Sequence, residues 1–164
     1  MAARLVAVLF AAAGPLSLAD AARVLQVSVH QIEQVCAYLD EQPPLGLALQ
    51  RHADHVQLTT SPETAPAVER YLGAPPPVRL SRAALEALAV VAYRQPVTRA
   101  DIDAVRGVNS DTAVATLLAR GLVAEIGRRD TVGRPVLLGT TSECLEYLGL
   151  RSLNELPPLA APGV

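Results

Sequence analysis

Residues 15–28 read PLSLADAARVLQVS, and residues 96–109 read PVTRADIDAVRGVN. At a shift of 81, Pro15 meets Pro96, Ser17 meets Thr98, Ala19 meets Ala100 and Asp20 meets Asp101. Val24 then meets Val105, Val27 meets Val108, and Ser28 meets Asn109. The same shift carries Thr59-Thr60-Ser61 onto Thr140-Thr141-Ser142, so one frame holds for nearly fifty residues. Glu69-Arg70-Tyr71-Leu72-Gly73 echoes Leu145-Glu146-Tyr147-Leu148-Gly149 at a slightly different shift. A repeat at one offset means one structural unit built twice.

Working outward from that stretch gives the unit. A first helix spans 2–13, apolar nearly all round with only Arg4 charged, and Gly14-Pro15 stops it. Ser17 caps a short helix, Leu18–Leu25, whose Leu18, Ala21, Ala22 and Leu25 recur at helical spacing. Ser28 caps a third helix to about residue 40, with Val29, Ile32, Val35, Cys36 and Leu39 on one face. Strands are expected at 45–50 and 56–60 around a polar turn, then a helix over 62–72. In the second copy Ser81 caps a helix to Arg94 with Leu85, Leu88, Ala89 and Ala92 inward. Thr98 caps a helix to Arg106, and Asn109 or Ser110 caps one through Arg120, with Gly121 closing it. Strands at 122–128 and 134–139 flank a turn at 130–133, and Thr141 or Ser142 opens a last helix through Leu148.

Helix, helix, helix, hairpin, helix is a helix-turn-helix with a β-hairpin wing. The expected class is mainly α with small β-hairpins (α+β), as two tandem winged-helix domains. The first covers 1–73 and the second 80–150, with a Pro-rich linker at 74–79 and a C-terminal tail at 151–164. Pro75-Pro76-Pro77 favours a fairly stiff spacer.

The 164 residues carry a net charge of −2, with every basic residue an arginine. Residues 1–77 hold four arginines against seven acids; residues 78–164 hold ten against nine. Any anionic partner therefore meets the second half. The leading run MAARLVAVLFAAAG has the outline of a signal peptide. The repeat argues against that, since residues 5–13 align with 86–94 and their removal would strip the first domain of a core helix. No stretch reaches the ~20 apolar residues needed to span a bilayer. Cys36 and Cys144 sit in apolar helical patterns and read as small buried hydrophobes, which fits a reducing, cytoplasmic setting.

The usual winged-helix task is DNA binding through the third helix. Here 28–40 has no Arg and carries Glu33 and Asp40; 109–120 has only Arg120, at its far end, and Asp111 at its start. Phosphate and base contacts need cations and donors early in that helix. DNA contact is at most auxiliary, through Arg128, Arg129 and Arg134 of the second wing. The same wing also reads as a solvated tip with an Arg–Asp130 pair, or as a protein-binding edge. No metal spacing, phosphate cradle or nucleophile–base set is found, so no catalytic residue, metal or cofactor is expected. His52 and His55 flanking Asp54 lack a third ligand at a usable spacing. The first helix has more apolar positions than one small core can use. Leu5, Val6, Val8 and Leu9 are its candidate dimer interface; a helix buried between domains of one chain stays the alternative.

At 80–150 the residues become specific. LSRAALEALAVVAYRQPVTRADIDAVRGVNSD, then LLARGLVAEIGRRDTVGRPVLLGTT, then LEYLGL, resemble the segregation and condensation protein B family. Tyr93-Arg94-Gln95-Pro96, Arg106-Gly107-Val108-Asn109-Ser110, Gly127-Arg128, Gly133-Arg134-Pro135 and Thr140-Thr141 carry the resemblance, with looser matches at Leu9-Phe10, Gly14-Pro15-Leu16-Ser17, 58–62 and 153–158. Val132 departs where the family usually has Pro, as do Cys144 and Leu148 where Phe is common. The resemblance implies a non-enzymatic, cytoplasmic homodimer joined through its first domains and brought to the nucleoid by its complex. It implies binding to the kleisin, segregation and condensation protein A, and through it to the SMC ATPase, in chromosome condensation and partition. The candidate kleisin-binding residues are Arg94, Gln95, Arg99, Arg106, Asn109, Ser110, Arg128 and Arg134. Against this, Asn109 and Ser110 read equally as helix caps and Gln95-Pro96 as a turn. The alternative function is a winged-helix DNA-binding transcriptional regulator.

Overall fold

The computed structural model describes residues 1–73 and 79–159. They fall into two compact units, Met1–Ala74 with Gly149–Val164, and Pro75–Leu148. Of the expected linker, Ala74, Pro75, Pro76, Pro77 and Val78 lie outside the described residues, as do 160–164 of the tail.

The first unit runs α1 (Ala2–Ala12), β1 (Leu16–Ser17), α2 (Leu18–Leu25), α3 (Val29–Glu41), β2 (Leu47–His52), β3 (His55–Thr60), a 3-10 turn (Pro62–Thr64) and α4 (Ala65–Leu72). Both inner helices begin on the caps read from sequence. Asp20 N–H donates to Ser17 Oγ at 3.0 Å. At Ser28 a full capping box forms: Gln31 N–H donates to Ser28 Oγ, and Ser28 N–H to Gln31 Oε1. The strands pair antiparallel in the order β1-β3-β2, with Leu49 opposite Leu58 and Leu16 opposite Val56. β2 starts two residues later than expected because Gly46, at φ 73°, turns the chain first. The helix expected over 62–72 opens as a 3-10 turn, since Pro66 has no N–H to give Pro62. Leu5, Leu9, Ala21, Leu25, Ile32, Cys36, Leu39, Leu49 and Val56 make the core. Burying each large aliphatic is worth about 1.5–3 kcal/mol.

Residues 149–159 belong to this unit. Gln50 Nε2 donates to the Leu150 carbonyl at 3.0 Å, and Arg51 N–H to the Arg151 carbonyl at 2.7 Å. A 3-10 turn, Leu153–Glu155, follows.

The second unit runs α5 (Arg82–Arg94), α6 (Arg99–Arg106), α7 (Asp111–Ala119), β4 (Val123–Arg128), β5 (Val136–Thr140) and α8 (Ser142–Leu148). β4 and β5 pair antiparallel with a register shift between Glu125 and Gly127. A single bridge between Val97 and Leu138 stands where β1 pairs with β3 in the first unit. The inward stripe of α5 is Ala84, Ala87, Leu88, Val91 and Ala92; Leu85 and Ala89 face outward, against the reading from periodicity. A helix of AALEALAVVA offers two overlapping apolar stripes, and the bulkier fit against Ile102 and Leu117 chose between them. Both cysteines are free and buried, and burial pushes the Cys144 thiol up to about 11.

Candidate partner-binding surfaces

In the second unit the Thr98 capping box fixes Asp101. Thr98 N–H donates to Asp101 Oδ2 at 2.8 Å, and Asp101 N–H to Thr98 Oγ1 at 3.2 Å. Asp101 also accepts both ends of the Arg129 guanidinium, at 3.2 and 2.5 Å. That fork ties the wing to the start of α6. The arginine pair expected with Asp130 goes to Asp101 instead, because the capped helix end presents a carboxylate already oriented by the backbone. Arg129 first, then the Thr98 N–H, holds the Asp101 carboxyl down to about 2. The fork's contribution is thus present above the ordinary carboxyl value of 3.8 and is lost as pH falls towards 2. The wing loop is closed by Arg129 N–H to the Pro135 carbonyl and Arg134 N–H to the Thr131 carbonyl, both 2.9 Å.

The fork gathers part of the expected site. Arg99 lies two residues before Asp101 and pairs with Asp111 at 3.6 Å. Arg128 and Arg134 are exposed on the wing, where Arg128 Nη1 donates to the Arg134 carbonyl at 3.2 Å. Arg94 is exposed at the end of α5. Asn109 is exposed, and its Oδ1 accepts from the N–H of Asp111, the first residue of α7, at 3.0 Å; the N-cap position itself is Ser110, which makes no side-chain cap bond.

Three expected contact residues do not present themselves to a partner. Gln95 is half-buried and spent on Thr140: its Nε2 donates to Thr140 Oγ1, and its Oε1 accepts from Thr140 N–H at 2.7 Å. Ser110 is 2% exposed; its N–H donates to Asp103 Oδ1 and its Oγ accepts from Arg106 Nη1, both at 2.8 Å. The Arg106 side chain is 7% exposed, pairs with Glu86 at 3.3 Å, and has its Nε buried without a hydrogen-bond partner among the described residues. It joins α5, α6 and the start of α7 from inside. Sequence shows three polar residues in a loop motif; that the motif folds inward depends on Glu86 and Asp103, which periodicity alone does not bring near.

In the first unit Leu5 and Leu9, named as dimer residues, are 0% and 1% exposed and belong to the core. Val6 and Val8 are half-buried, and Phe10 is 78% exposed. Val6 and Phe10, with Ala3, Leu47 and Leu58, line an almost wholly apolar groove of about 460 Å³. Phe10 is the side chain the interface reading left out; its position on the helix opposite Leu5 and Leu9 was the signal. On α3 the exposed residues include Val29, Gln31, Glu33, Gln34 and Tyr38, with His30 lying 3.7 Å from Glu33. Among the described residues no group of three His, Cys, Asp or Glu is placed to hold a metal, and no helix is long and apolar enough to cross a membrane.

Residues 3–159 match the family model described as segregation and condensation complex subunit ScpB. Segregation and condensation protein B of Carboxydothermus hydrogenoformans is 44% identical over 156 residues, covering 93% of this chain and 84% of that one. The protein of the same name from Geobacillus thermodenitrificans is 47% identical over 157 residues, covering 93% and 75%. Among solved structures, ScpB from Mycobacterium tuberculosis shares 39% identity over 92% of this chain and 98% of its own, with a TM-score of 0.42.

Proposed function

Because this chain belongs to the family of segregation and condensation complex subunit ScpB, we propose that it is a non-enzymatic subunit of the bacterial SMC–kleisin complex. It binds the kleisin, segregation and condensation protein A, and through it the SMC ATPase, in the cytoplasm, supporting chromosome condensation and partition. The first unit dimerises and the second captures the partner. No cofactor takes part.

The carrying observation is the exposed Arg94, Arg128 and Arg134, with the half-buried Arg99, on a unit whose third helix begins with Asp111 and shows no cation in its N-terminal part. That placement suits carboxylates of a protein partner better than the phosphates of a groove. The apolar groove beside Val6 and Phe10 favours a second copy on the first unit.

The test is binding of purified kleisin to the full chain. Arg128→Glu combined with Arg134→Glu weakens it by tenfold or more, about 1.4 kcal/mol, at unchanged melting temperature; full retention retires the surface. Arg106→Glu is a poor probe because its target is buried. Light scattering reports the second assignment: the chain runs as a dimer and Val6→Glu as a monomer. Tight, strongly salt-dependent binding of random duplex DNA by the chain alone would favour the DNA-binding regulator instead.

A further inference from the structure

We propose that α4 of one copy of this chain seats in the apolar groove along α1 of a second copy, and that the second copy's α4 seats in the groove of the first. This rests on the proposed dimerisation of the first unit and names the elements that make it.

The second unit shows what such a groove holds. The turn after α1 is one residue longer than the turn after α5, Ala13-Gly14 against Gln95, so the buried Leu5 and Leu9 correspond to the buried Ala87 and Val91. The neighbouring stripe of α1, Ala2, Val6 and Phe10, then corresponds to Ala84, Leu88 and Ala92. In the second unit that stripe is covered, with Leu88 at 2% and Ala92 at 9% exposure. There α8 closes the core: Cys144 is fully buried in the cluster that holds Ala84 and Leu88, and Tyr147 and Leu148 pack against it. Near one end of α8, Tyr147 Oη accepts from the N–H of Leu80, just before α5, at 3.4 Å. At the other, Thr141 Oγ1 donates to the Gly121 carbonyl, two residues before β4, at 2.6 Å. The last helix therefore reaches from the start of the first helix to the start of the hairpin. In the first unit the same place is open: Ala2, Val6 and Phe10 line the groove of about 460 Å³, and Leu47, where β2 begins, stands across from them.

The counterpart of α8 in the first unit is α4, and it does not fill that place. Tyr71-Leu72-Gly73 echoes Tyr147-Leu148-Gly149, and at the same shift Val68 falls on Cys144. Val68, Tyr71 and Leu72 stand at i, i+3 and i+4, which puts them on one face of a helix. Yet no residue of α4 is buried, and Tyr71 is 88% and Leu72 64% exposed. Among the described residues, none of the side chains packed on the first core comes from α4. The cause lies in the approach. Tyr71 comes eleven residues after Thr60, whereas Tyr147 comes six after Thr141. The added length is the Pro62–Thr64 turn, held by Ser61 N–H to the Gly46 carbonyl at 3.0 Å and by Thr64 Oγ1 to the Ser61 carbonyl at 2.8 Å. That turn carries α4 off the core of its own unit.

A groove without its helix and a helix without its groove, on one chain, are met together by a two-fold exchange with a second copy. The exchange buries the apolar face of α4 and the exposed ring of Phe10 in one step. Glu69 stands where α8 has Leu145, so the seated helix turns Val68, Tyr71 and Leu72 inward and keeps Glu69 and Arg70 at the rim.

The experiment uses the full chain in two single variants, Val6→Cys and Leu72→Cys, mixed, left to exchange chains and treated with a short bifunctional maleimide. The native Cys36 and Cys144 are buried and stay out of the reaction. The mixture gives a two-chain product at about tenfold or more the yield of either variant alone. A dimer by light scattering without that product overturns the exchange and leaves the dimer standing. A monomer by light scattering overturns both. A chain carrying both cysteines that links within itself shows α4 closing its own groove, which also overturns the exchange. Tyr71→Asp with Leu72→Asp changes side chains that a single chain leaves exposed, so helical content is kept. The dimer dissociation constant rises by about a hundredfold or more; an unchanged constant overturns the exchange.

Discussion

At the sequence shift of 81, Leu5 of α1 falls on Glu86 of α5, one residue before Ala87, which is buried as Leu5 is, and Leu25 of α2 falls on Arg106 of α6. In the first unit both leucines are core, 0% and 5% exposed. In the second, Glu86 and Arg106 form an ion pair, with the guanidinium buried and the carboxylate at the rim. The frame is common, but the cement differs: non-directional burial in one copy, an oriented Arg106–Ser110–Asp103 network in the other. An apolar pair tolerates small shifts of helix against helix. A buried guanidinium with a fixed fork does not, and it costs stability where it is not fully satisfied, as at Nε. The second unit therefore spends stability on a defined loop shape at 106–110, next to the exposed arginines proposed to hold the partner.

The sharpest way to break that contrast is at Leu5. Leu5→Ala leaves a cavity between α1 and α3 and lowers stability by about 2–5 kcal/mol in urea titration; a loss no larger than that of an exposed site would mean α1 is not a core element. A middle-sized effect separates the wings. Leu58 of the first unit falls on Gly139 of the second. A Cβ built on Gly139 would meet Ile126 Cδ1 at 2.8 Å and Gln95 Oε1 at 2.9 Å. Gly139→Ala forces the Gln95–Thr140 link apart and costs about 1–3 kcal/mol, read as a drop in melting temperature. The smallest effect tests the ion pair itself. Glu86→Leu with Arg106→Leu replaces the ion pair by two leucines, and the denaturation midpoint stays at or above wild type. Glu86→Leu alone strands the guanidinium and lowers the midpoint. If the double variant is less stable than the wild type, the pair is a net stabiliser and the contrast between the two units fails.

Much of the frame was legible because it rests on local physics. Ser17, Ser28 and Thr98 satisfy helix N–H groups three residues on, and α2 and α6 have the limits read from those caps. The α5 face was read half right: Leu88 and Ala92 are buried, but Leu85 and Ala89 are exposed, because an alanine-rich helix offers several stripes and only its neighbours select one. The surfaces were legible in part. Arg128 and Arg134 are exposed as expected of a wing, whereas Gln95, Arg106 and Ser110 turn inward to partners that periodicity does not assign.

The sequence by itself determined that one unit occurs twice, where its helices start, and that neither third helix leads with positive charge. Those properties live in spacings of three to four residues and in a single offset. Only the tertiary structure decided which polar residues are cement and which are surface. Arg129 reaches Asp101 across 28 residues, and Gln50 reaches Leu150 across 100. Such pairs form only once the core has fixed the backbone, because no local periodicity encodes a contact between distant segments.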